Sequence, residues 1–187
     1  MIKKTIIIFS FLLFQIIHTQ AQATYNIMSY NIRLDVASDG VNRWDVRKER
    51  LATLIKYYEP DLFGLQEVLN HQYEYLNESL NQYRSFGAGR DDGKNKGERS
   101  CIYYKKDKFT LLQQHTFWLS STPYKVSKGW DAALERVCTY GLFQDKKTKK
   151  KFWMFNTHFD HIGKEARLES AKLIVQKINE VNTKNFP

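Results

Sequence analysis

Two short apolar stretches on either side of one amphipathic helix constrain the fold of this chain most strongly. Residues 25–32 and 61–66 are rich in β-forming residues on both faces, which is typical of strands covered on both sides. Between them, apolar residues recur at helical spacing over residues 44–58, and Pro60 follows as a helix stop. Buried strands connected through a helix predict a layered α/β domain.

The rest of the chain alternates between apolar runs and polar loops. The pattern predicts, in order, a helix over 69–80, strands over 101–104 and 109–119, a hairpin of strands over 137–143 and 152–159, and a helix over 171–181. Glycine-containing loops separate these elements at residues 87–97 and 120–131. We find no internal repeat and no interdomain linker, so residues 24–187 are predicted to form one domain.

The N-terminus has the composition of a secretory signal peptide. Lys3 and Lys4 precede an uncharged apolar run over residues 5–17, and an Ala-Gln-Ala sequence ends at Ala23. The apolar run is short for a membrane span, which needs roughly 20 apolar residues, although an uncleaved anchor is the alternative. We therefore expect residues 1–23 to be removed and the mature protein to be secreted or periplasmic, without a stable membrane anchor.

Charge and cysteine content restrict the function only weakly. The formal charge is +9, and because Lys3 and Lys4 contribute two of these charges, the part after Ala23 carries +7. Such a charge suits an anionic partner, but a generic basic surface would give the same value. The two cysteines, Cys101 and Cys138, could pair in an oxidising compartment, but both lie in apolar strand-like runs, where buried free thiols are the expected state.

Polar side chains at the ends of the predicted strands are the informative feature. Asn31 ends the first strand, Glu67 ends the second, and Asn156 and His158 fall in the last strand of the hairpin. Sites in open α/β sheets form where strand ends converge. A carboxylate with amides and an imidazole nearby suits an oxyanion substrate and a hard divalent cation.

Three motifs in order resemble those of the endonuclease/exonuclease/phosphatase superfamily, to which deoxyribonuclease I belongs. They are IMSYNIR at residues 27–33, DLFGLQEV at 61–68 and FNTHFD at 155–160. The resemblance implies a four-layer fold of two packed β-sheets flanked by helices. It also implies hydrolysis of phosphoesters with Mg²⁺, or alternatively Mn²⁺ or Ca²⁺, by a secreted bacterial enzyme that is expected to be a monomer.

The resemblance assigns roles to the matching positions. Glu67 matches the carboxylate that holds the metal, and Asn31 matches the asparagine beside it that helps to bind metal and phosphate. His158 matches the histidine that hydrogen-bonds the scissile phosphate, and Glu98 resembles the acid that orients this histidine. A carboxylate beside His158 would raise its pKa and keep the ring protonated.

Three further residues are candidates for contact with the substrate phosphate. Arg136, at the end of the GWDAALER sequence, has paired donors that suit phosphate, although a salt-bridged arginine at a strand end is an equal alternative. Asn156 and Asp160 flank His158 in the third motif, and His161 follows directly. The lysine-rich turn at 145–150 is interpreted as a solvated hairpin tip.

Two motifs that the superfamily pattern requires are missing from the chain. Neither a Gly-Asp-x-Asn sequence nor a final Ser-Asp-His occurs after the third motif. We therefore expect the chain to be incomplete at its C-terminus and to have little activity alone. A nuclease or other phosphodiesterase is the leading function, with a phospholipid or phosphomonoester phosphatase, or a catalytically inactive binding fragment, as the alternatives.

Overall fold

The structure, a computed structural model, describes residues 24–187, and the predicted signal peptide at residues 1–23 lies outside this range. Seven strands and three α-helices, with a short 3-10 helix at Ala37–Asn42, make up the described part. In chain order they are β1 Ile27–Asn31, α1 Trp44–Tyr58, β2 Leu62–Val68, α2 Asn70–Ser79, β3 Tyr83–Phe86, β4 Arg99–Lys105, β5 Phe109–Trp118, β6 Val137–Asp145, β7 Lys151–Thr157 and α3 Lys164–Val181.

The strands form two sheets that follow each other along the chain. The first sheet has the order β1-β2-β4-β3, in which β1 and β2 are parallel and the other pairs are antiparallel. The second sheet is an antiparallel meander of β5, β6 and β7. The parallel β1–β2 pair, connected by α1, brings the carboxyl ends of two strands to the same sheet edge.

Apolar residues on both faces of the first sheet produce a layered core. One face packs against α1 and α2, with Phe63 and Leu65 of β2 among the fully buried residues. The other face packs against the second sheet, where Leu62 and Ile102 meet Phe143. The outer face of the second sheet is covered by α3. The order helices, sheet, sheet, helix confirms the predicted four-layer α/β sandwich.

Most predicted elements are found, with two differences. The α1 bounds agree with the prediction, and Glu59 takes a left-handed conformation (φ 43°) before Pro60. The short edge strand β3 was not predicted, because four residues are too few for a period-two pattern to stand out. Strand β7 ends at Thr157, so the prediction that His158 lies within that strand is wrong.

The cysteines answer one further expectation. Cys101 and Cys138 are both buried and unpaired, which confirms the prediction of free thiols. Over residues 24–187, no helix has the length and apolar character needed to cross a membrane.

Candidate active site

Asn31 and Glu67 meet where the parallel strands β1 and β2 end. The strand register sets Asn31 beside Gln66, so Glu67 is the next residue along β2. The Asn31 side-chain amide donates a hydrogen bond from Nδ2 to Glu67 Oε1 at 2.8 Å. The sequence motifs and the sheet topology thus place these two predicted residues in direct contact.

The backbone around the Glu67 carboxylate has an uncommon shape. Glu67 and Arg33 both have φ of 62°, a left-handed conformation that few non-glycine residues adopt, and β2 carries a bulge at this end. Two backbone N–H groups of the turn after β1 donate to the side chains of this site. The Leu34 N–H donates to Glu67 Oε2 at 3.0 Å, and the Arg33 N–H donates to Asn31 Oδ1 at 2.9 Å.

These donors keep the Glu67 carboxyl ionised. Burial alone would raise its pKa, but hydrogen bonds from Asn31 and the Leu34 N–H together with nearby positive charge outweigh burial, and the pKa lies below its ordinary value. Each oxygen accepts one hydrogen bond from these groups and keeps a second lone pair. Glu67 is therefore an anionic oxygen donor in a fixed orientation.

Two helix residues that the sequence did not single out hold the turn in place. Arg47 of α1 donates to the backbone carbonyls of Ile32 and Arg33. Gln72 of α2 donates to the Arg33 carbonyl at 3.1 Å, and its own Oε1 accepts the Leu69 N–H at 3.0 Å. Their helical positions gave no sign of this role, because only the tertiary fold brings the turn against both helices.

A second polar cluster surrounds the buried guanidinium of Arg136, at the residue before β6. Its Nε donates to Asp160 Oδ2 at 3.2 Å, and the two side chains are only 6% and 1% exposed. Its Nη1 lies 3.4 Å from His158 Nδ1, and its Nη2 lies 3.0 Å from His161 Nδ1. One guanidinium therefore connects the carboxylate and both histidines of the loop after β7.

The prediction of a raised His158 pKa is wrong. Burial and the positive charge of Arg136 hold the pKa of His158 below its ordinary value. The carboxylates of Glu67 and Glu98 act in the opposite direction and offset this only in part. Both acids therefore act on the imidazole electrostatically, against the combined effect of burial and Arg136.

Glu98 lies beside His158 but has another partner. Glu98 Oε1 forms an ion pair of 2.9 Å with Nη2 of Arg90, and both side chains are mostly buried. Glu98, Arg90 and His158 line one small cavity together with Arg136. Among the contacts of residues 24–187, His158 has a hydrogen-bond partner in Arg136 and none in Glu98. The prediction that Glu98 directly orients His158 is therefore wrong.

Asn156 holds the two sheets together instead of facing solvent. Its Nδ2 donates to the carbonyls of Leu65 and Cys101 at 2.9 and 2.8 Å, and its Oδ1 accepts from Gln66 Nε2 at 2.7 Å. A Cβ at Gly64 would lie 2.5 Å from the Asn156 Cγ, so the missing side chain of this glycine makes room for the amide. Asn156 is buried with its polar atoms engaged, and the prediction that it contacts phosphate is wrong.

Asp160 and Arg136 are likewise turned toward the protein. The Asp160 carboxylate accepts the N–H groups of Ile162 and Gly163 at 3.0 and 2.8 Å, in addition to its ion pair with Arg136. Because this carboxylate is almost fully buried, the prediction that it contacts substrate is wrong. The salt-bridged reading of Arg136, which the sequence left open, is the one that the contacts favour.

The donor set around Glu67 is compatible with Mg²⁺. This ion binds through one or two carboxylates and keeps several water molecules, so a single fixed carboxylate is a workable start of a site. Ca²⁺ takes six to eight oxygen ligands and is a poorer fit. Within residues 24–187, no three His, Cys, Asp or Glu side chains gather closely enough to enclose a metal ion.

Comparison with known proteins establishes the family of the chain. A model of the Endonuclease/Exonuclease/phosphatase family matches residues 28–137, which is more than half of the chain. The chain belongs to this family. A solved family member from Bacteroides vulgatus is 45% identical, with a TM-score of 0.84 over 86% of this chain and 62% of its own.

Two further similarities bear on function and length. The mannosyl-6-phosphatase Bt3783 of Bacteroides thetaiotaomicron VPI-5482 is 44% identical, with a TM-score of 0.85 over 87% of this chain and 62% of its own. The uncharacterized protein L388 of Acanthamoeba polyphaga mimivirus is 29% identical over 75% of this chain and 54% of its own length. The chain thus spans between half and two thirds of the length of these similar proteins.

Proposed function

We propose that this chain takes part in the metal-dependent hydrolysis of a phosphoester, and that the substrate is a sugar phosphate. The observation that carries the proposal is the Asn31–Glu67 pair, which gives an oriented, ionised carboxylate at the converging ends of two parallel strands. His158 supplies an imidazole near this carboxylate, since the charge of Glu67 acts on the pKa of the ring.

The chain's own residues have separable tasks in this reaction. Glu67 would hold the Mg²⁺, with Asn31 and the Leu34 N–H fixing the direction of the carboxylate. The bound metal would supply Lewis-acid neutralisation of the charge that develops on the phosphoryl oxygens. His158 donates a hydrogen bond to a phosphoryl oxygen. Removing one such donor from a phosphoryl or oxyanion site lowers turnover by about 10²–10³-fold.

Metal binding can be tested separately from turnover. Titration of the 187-residue chain with Mn²⁺, followed by electron paramagnetic resonance, should show one site that Mg²⁺ displaces. Glu67→Gln should weaken this site at least about tenfold, because it removes the negative charge. Glu49→Gln, on the exposed face of α1, is the matched control and should leave binding unchanged. Equal Mn²⁺ affinity of the chain and Glu67→Gln would refute the role of Glu67.

The substrate class rests on the 44% identity to a mannosyl-6-phosphatase. Hydrolysis should be measured with Mg²⁺ on five substrates: free phosphate from a hexose 6-phosphate and an inositol phosphate, new chain ends from DNA and RNA, and phosphocholine from sphingomyelin. Faster turnover of the hexose phosphate supports the proposal, and preference for a diester or lipid would replace the sugar by that substrate. With the hexose phosphate as substrate, His158→Ala should lower kcat by the factor given above. Unchanged turnover by His158→Ala would remove the imidazole from the mechanism.

The length of the protein used in the assay matters. We expect little turnover from the 187-residue chain alone, because its described residues provide one carboxylate to the metal. The assay therefore compares this chain with any longer product that the gene encodes, found by reading the coding DNA past residue 187. Absence of hydrolysis of all five substrates by the longest product would overturn the hydrolase proposal.

Export belongs to the same proposal. A basic start, a short apolar run and the Ala-Gln-Ala sequence support removal of residues 1–23 during secretion. N-terminal sequencing of the protein from its native cells should begin at Thr24, whereas a sequence beginning at Met1 would count against cleavage.

A further inference from the structure

The guanidinium of Arg136 contacts two imidazole rings through the same ring atom of each. Its Nη1 lies 3.4 Å from His158 Nδ1, and its Nη2 lies 3.0 Å from His161 Nδ1. An arginine side chain has five N–H donors and no acceptor, and it stays protonated in proteins. A ring nitrogen that pairs with it must therefore accept, which means that this nitrogen carries no proton.

We propose that Arg136 is a positioning residue that fixes His158 and His161 as neutral rings with the proton on Nε2. In a neutral imidazole one nitrogen carries the proton, so acceptance at Nδ1 assigns the proton to Nε2. His158 then faces the substrate as a neutral hydrogen-bond donor. It does not act as an imidazolium acid, and no proton has to leave it during the reaction.

The Arg136 guanidinium is itself held in place by Asp160. Asp160 accepts the Arg136 Nε proton at 3.2 Å, and two backbone N–H groups of the following turn hold the Asp160 carboxylate. Both charged side chains are almost fully buried, so rotation of the guanidinium would leave a buried carboxylate without its partner. The fork of the arginine therefore presents Nη1 and Nη2 to the two histidines in a constant direction.

The charges around His158 agree with a neutral ring. Arg136 and Arg90 oppose its protonation, whereas Glu67 and Glu98 favour it. Together with burial, the net effect holds the pKa of His158 below its ordinary value. Glu98 and Arg90 act in opposite directions on His158 and form an ion pair with each other at 2.9 Å.

The tautomers can be measured directly in the 187-residue chain. Long-range ¹H–¹⁵N correlation spectra of the histidine-labelled protein separate Nε2-protonated, Nδ1-protonated and doubly protonated rings. We expect His158 and His161 to be Nε2-protonated at pH 7, with signals assigned from His158→Asn and His161→Asn. His115, an exposed residue of β5 whose ring contacts tyrosines and, within residues 24–187, accepts no hydrogen bond from an arginine, serves as the internal reference. A predominantly Nδ1-protonated or doubly protonated His158 would overturn the proposal.

Variants of Arg136 separate its charge from its geometry. In Arg136→Met, His158 and His161 should each populate both neutral tautomers, because the donor to Nδ1 is gone. The titration midpoint of His158 should also move to higher pH, because the opposing positive charge is lost. Arg136→Lys keeps the charge but not the fork, so the midpoint should stay low while at least one ring loses its fixed tautomer. Arg84→Met, at an exposed position of β3, is the control. An unchanged His158 spectrum in folded Arg136→Met would refute the role of Arg136.

The catalytic role of this arrangement rests on the proposed function, whereas the assignment of the tautomers is independent of it. The spectra need neither metal nor substrate, so they stand or fall independently of any hydrolysis assay. If Arg136→Met does not fold, the tautomers of the unaltered chain decide the question. If His158 acts as a neutral donor, the hexose phosphatase rate of the longest product of the gene should stay constant from pH 7 down to the titration midpoint of His158. A rate that instead follows the protonated fraction of His158 would contradict the proposal.

Discussion

Asn156 is the buried amide that joins the two sheets, and its replacement gives the sharpest test of the fold. Its side chain makes three hydrogen bonds of 2.7–2.9 Å, to the Leu65 and Cys101 carbonyls and to the Gln66 amide. Asn156→Ala leaves these three buried groups without that partner. We expect this substitution to lower the free energy of unfolding, whereas loss of a residue that only contacts phosphate would leave it nearly unchanged.

The magnitude follows from the number of groups left unpaired. The Gln66 amide keeps Ser29 Oγ and the Gly64 carbonyl as acceptors, so the Leu65 and Cys101 carbonyls decide the magnitude. Each buried polar group that loses its partner costs about 1–3 kcal/mol, so two groups give a loss of at least about 2 kcal/mol. Native domains are stable by about 5–15 kcal/mol in total. Asn156→Ala should therefore move the urea midpoint markedly, whereas Asn179→Ala on the exposed face of α3 should change stability by less than about 0.5 kcal/mol.

Gly64 allows the same reasoning to be checked by a double-mutant cycle. A Cβ at this position would lie 2.5 Å from both Cγ and Oδ1 of Asn156, a clash that typically costs about 1–3 kcal/mol. In the Asn156→Ala background the clashing atoms are absent, so Gly64→Ala should cost much less there. The expected coupling is about 1–3 kcal/mol, well above the ~0.5 kcal/mol error of additivity.

The assay is urea unfolding of the four proteins of this cycle, followed by tryptophan fluorescence and far-ultraviolet circular dichroism. Changes in midpoint at constant slope give the changes in stability. Additive effects of Gly64→Ala and Asn156→Ala would refute the close approach. A loss of less than about 1 kcal/mol for Asn156→Ala would refute its role between the sheets.

Three further predictions concern charge and thiol burial. Burial alone would raise the pKa of Asp160, but hydrogen bonds from backbone N–H groups and Arg136 lower it on balance. This depressed pKa contributes stability above the unfolded pKa of about 4, which is lost as pH falls through the folded value. Asp160→Asn should thus destabilise at pH 7, with a gap in melting temperature that narrows in acid; a gap independent of pH would contradict this. By the same sign argument, the lowered Glu67 pKa should let metal binding persist somewhat below pH 4.5, and Mn²⁺ titrations that lose affinity already at pH 6 would disagree. Burial raises the pKa of Cys101 to about 12, and Cys138 is equally buried, so a disulfide reagent should modify neither thiol before urea unfolds the protein.

Much of the architecture could be predicted from the sequence. Apolar runs of β-forming residues identified six of the seven strands, and 3.6-residue apolar patterns identified all three α-helices, because both patterns record which faces are buried. The ends of β1 and β2 placed Asn31 and Glu67 together, since adjacent parallel strands bring their carboxyl ends to one edge. The motifs also pointed to the family that the comparison established.

The partners of the buried polar groups could not be predicted in this way. Residues next to one another in the third motif separate in the structure, with Asn156 between the sheets and Asp160 behind Arg136. Glu98 and His158 both reach one small cavity, yet Arg90 and Arg136 are their partners. Arg47 gave no signal at all, although it supports the turn beside Glu67.

The physical reason is that a local pattern reports burial but not pairing. The apolar periods determined the order of elements and the layers, and the strand-end motifs determined the chemistry that the family shares. Which donor meets which acceptor depended on how the loop after β7 lies against the start of β6. That contact fixes the state of His158, because a guanidinium can only donate to the ring that it touches.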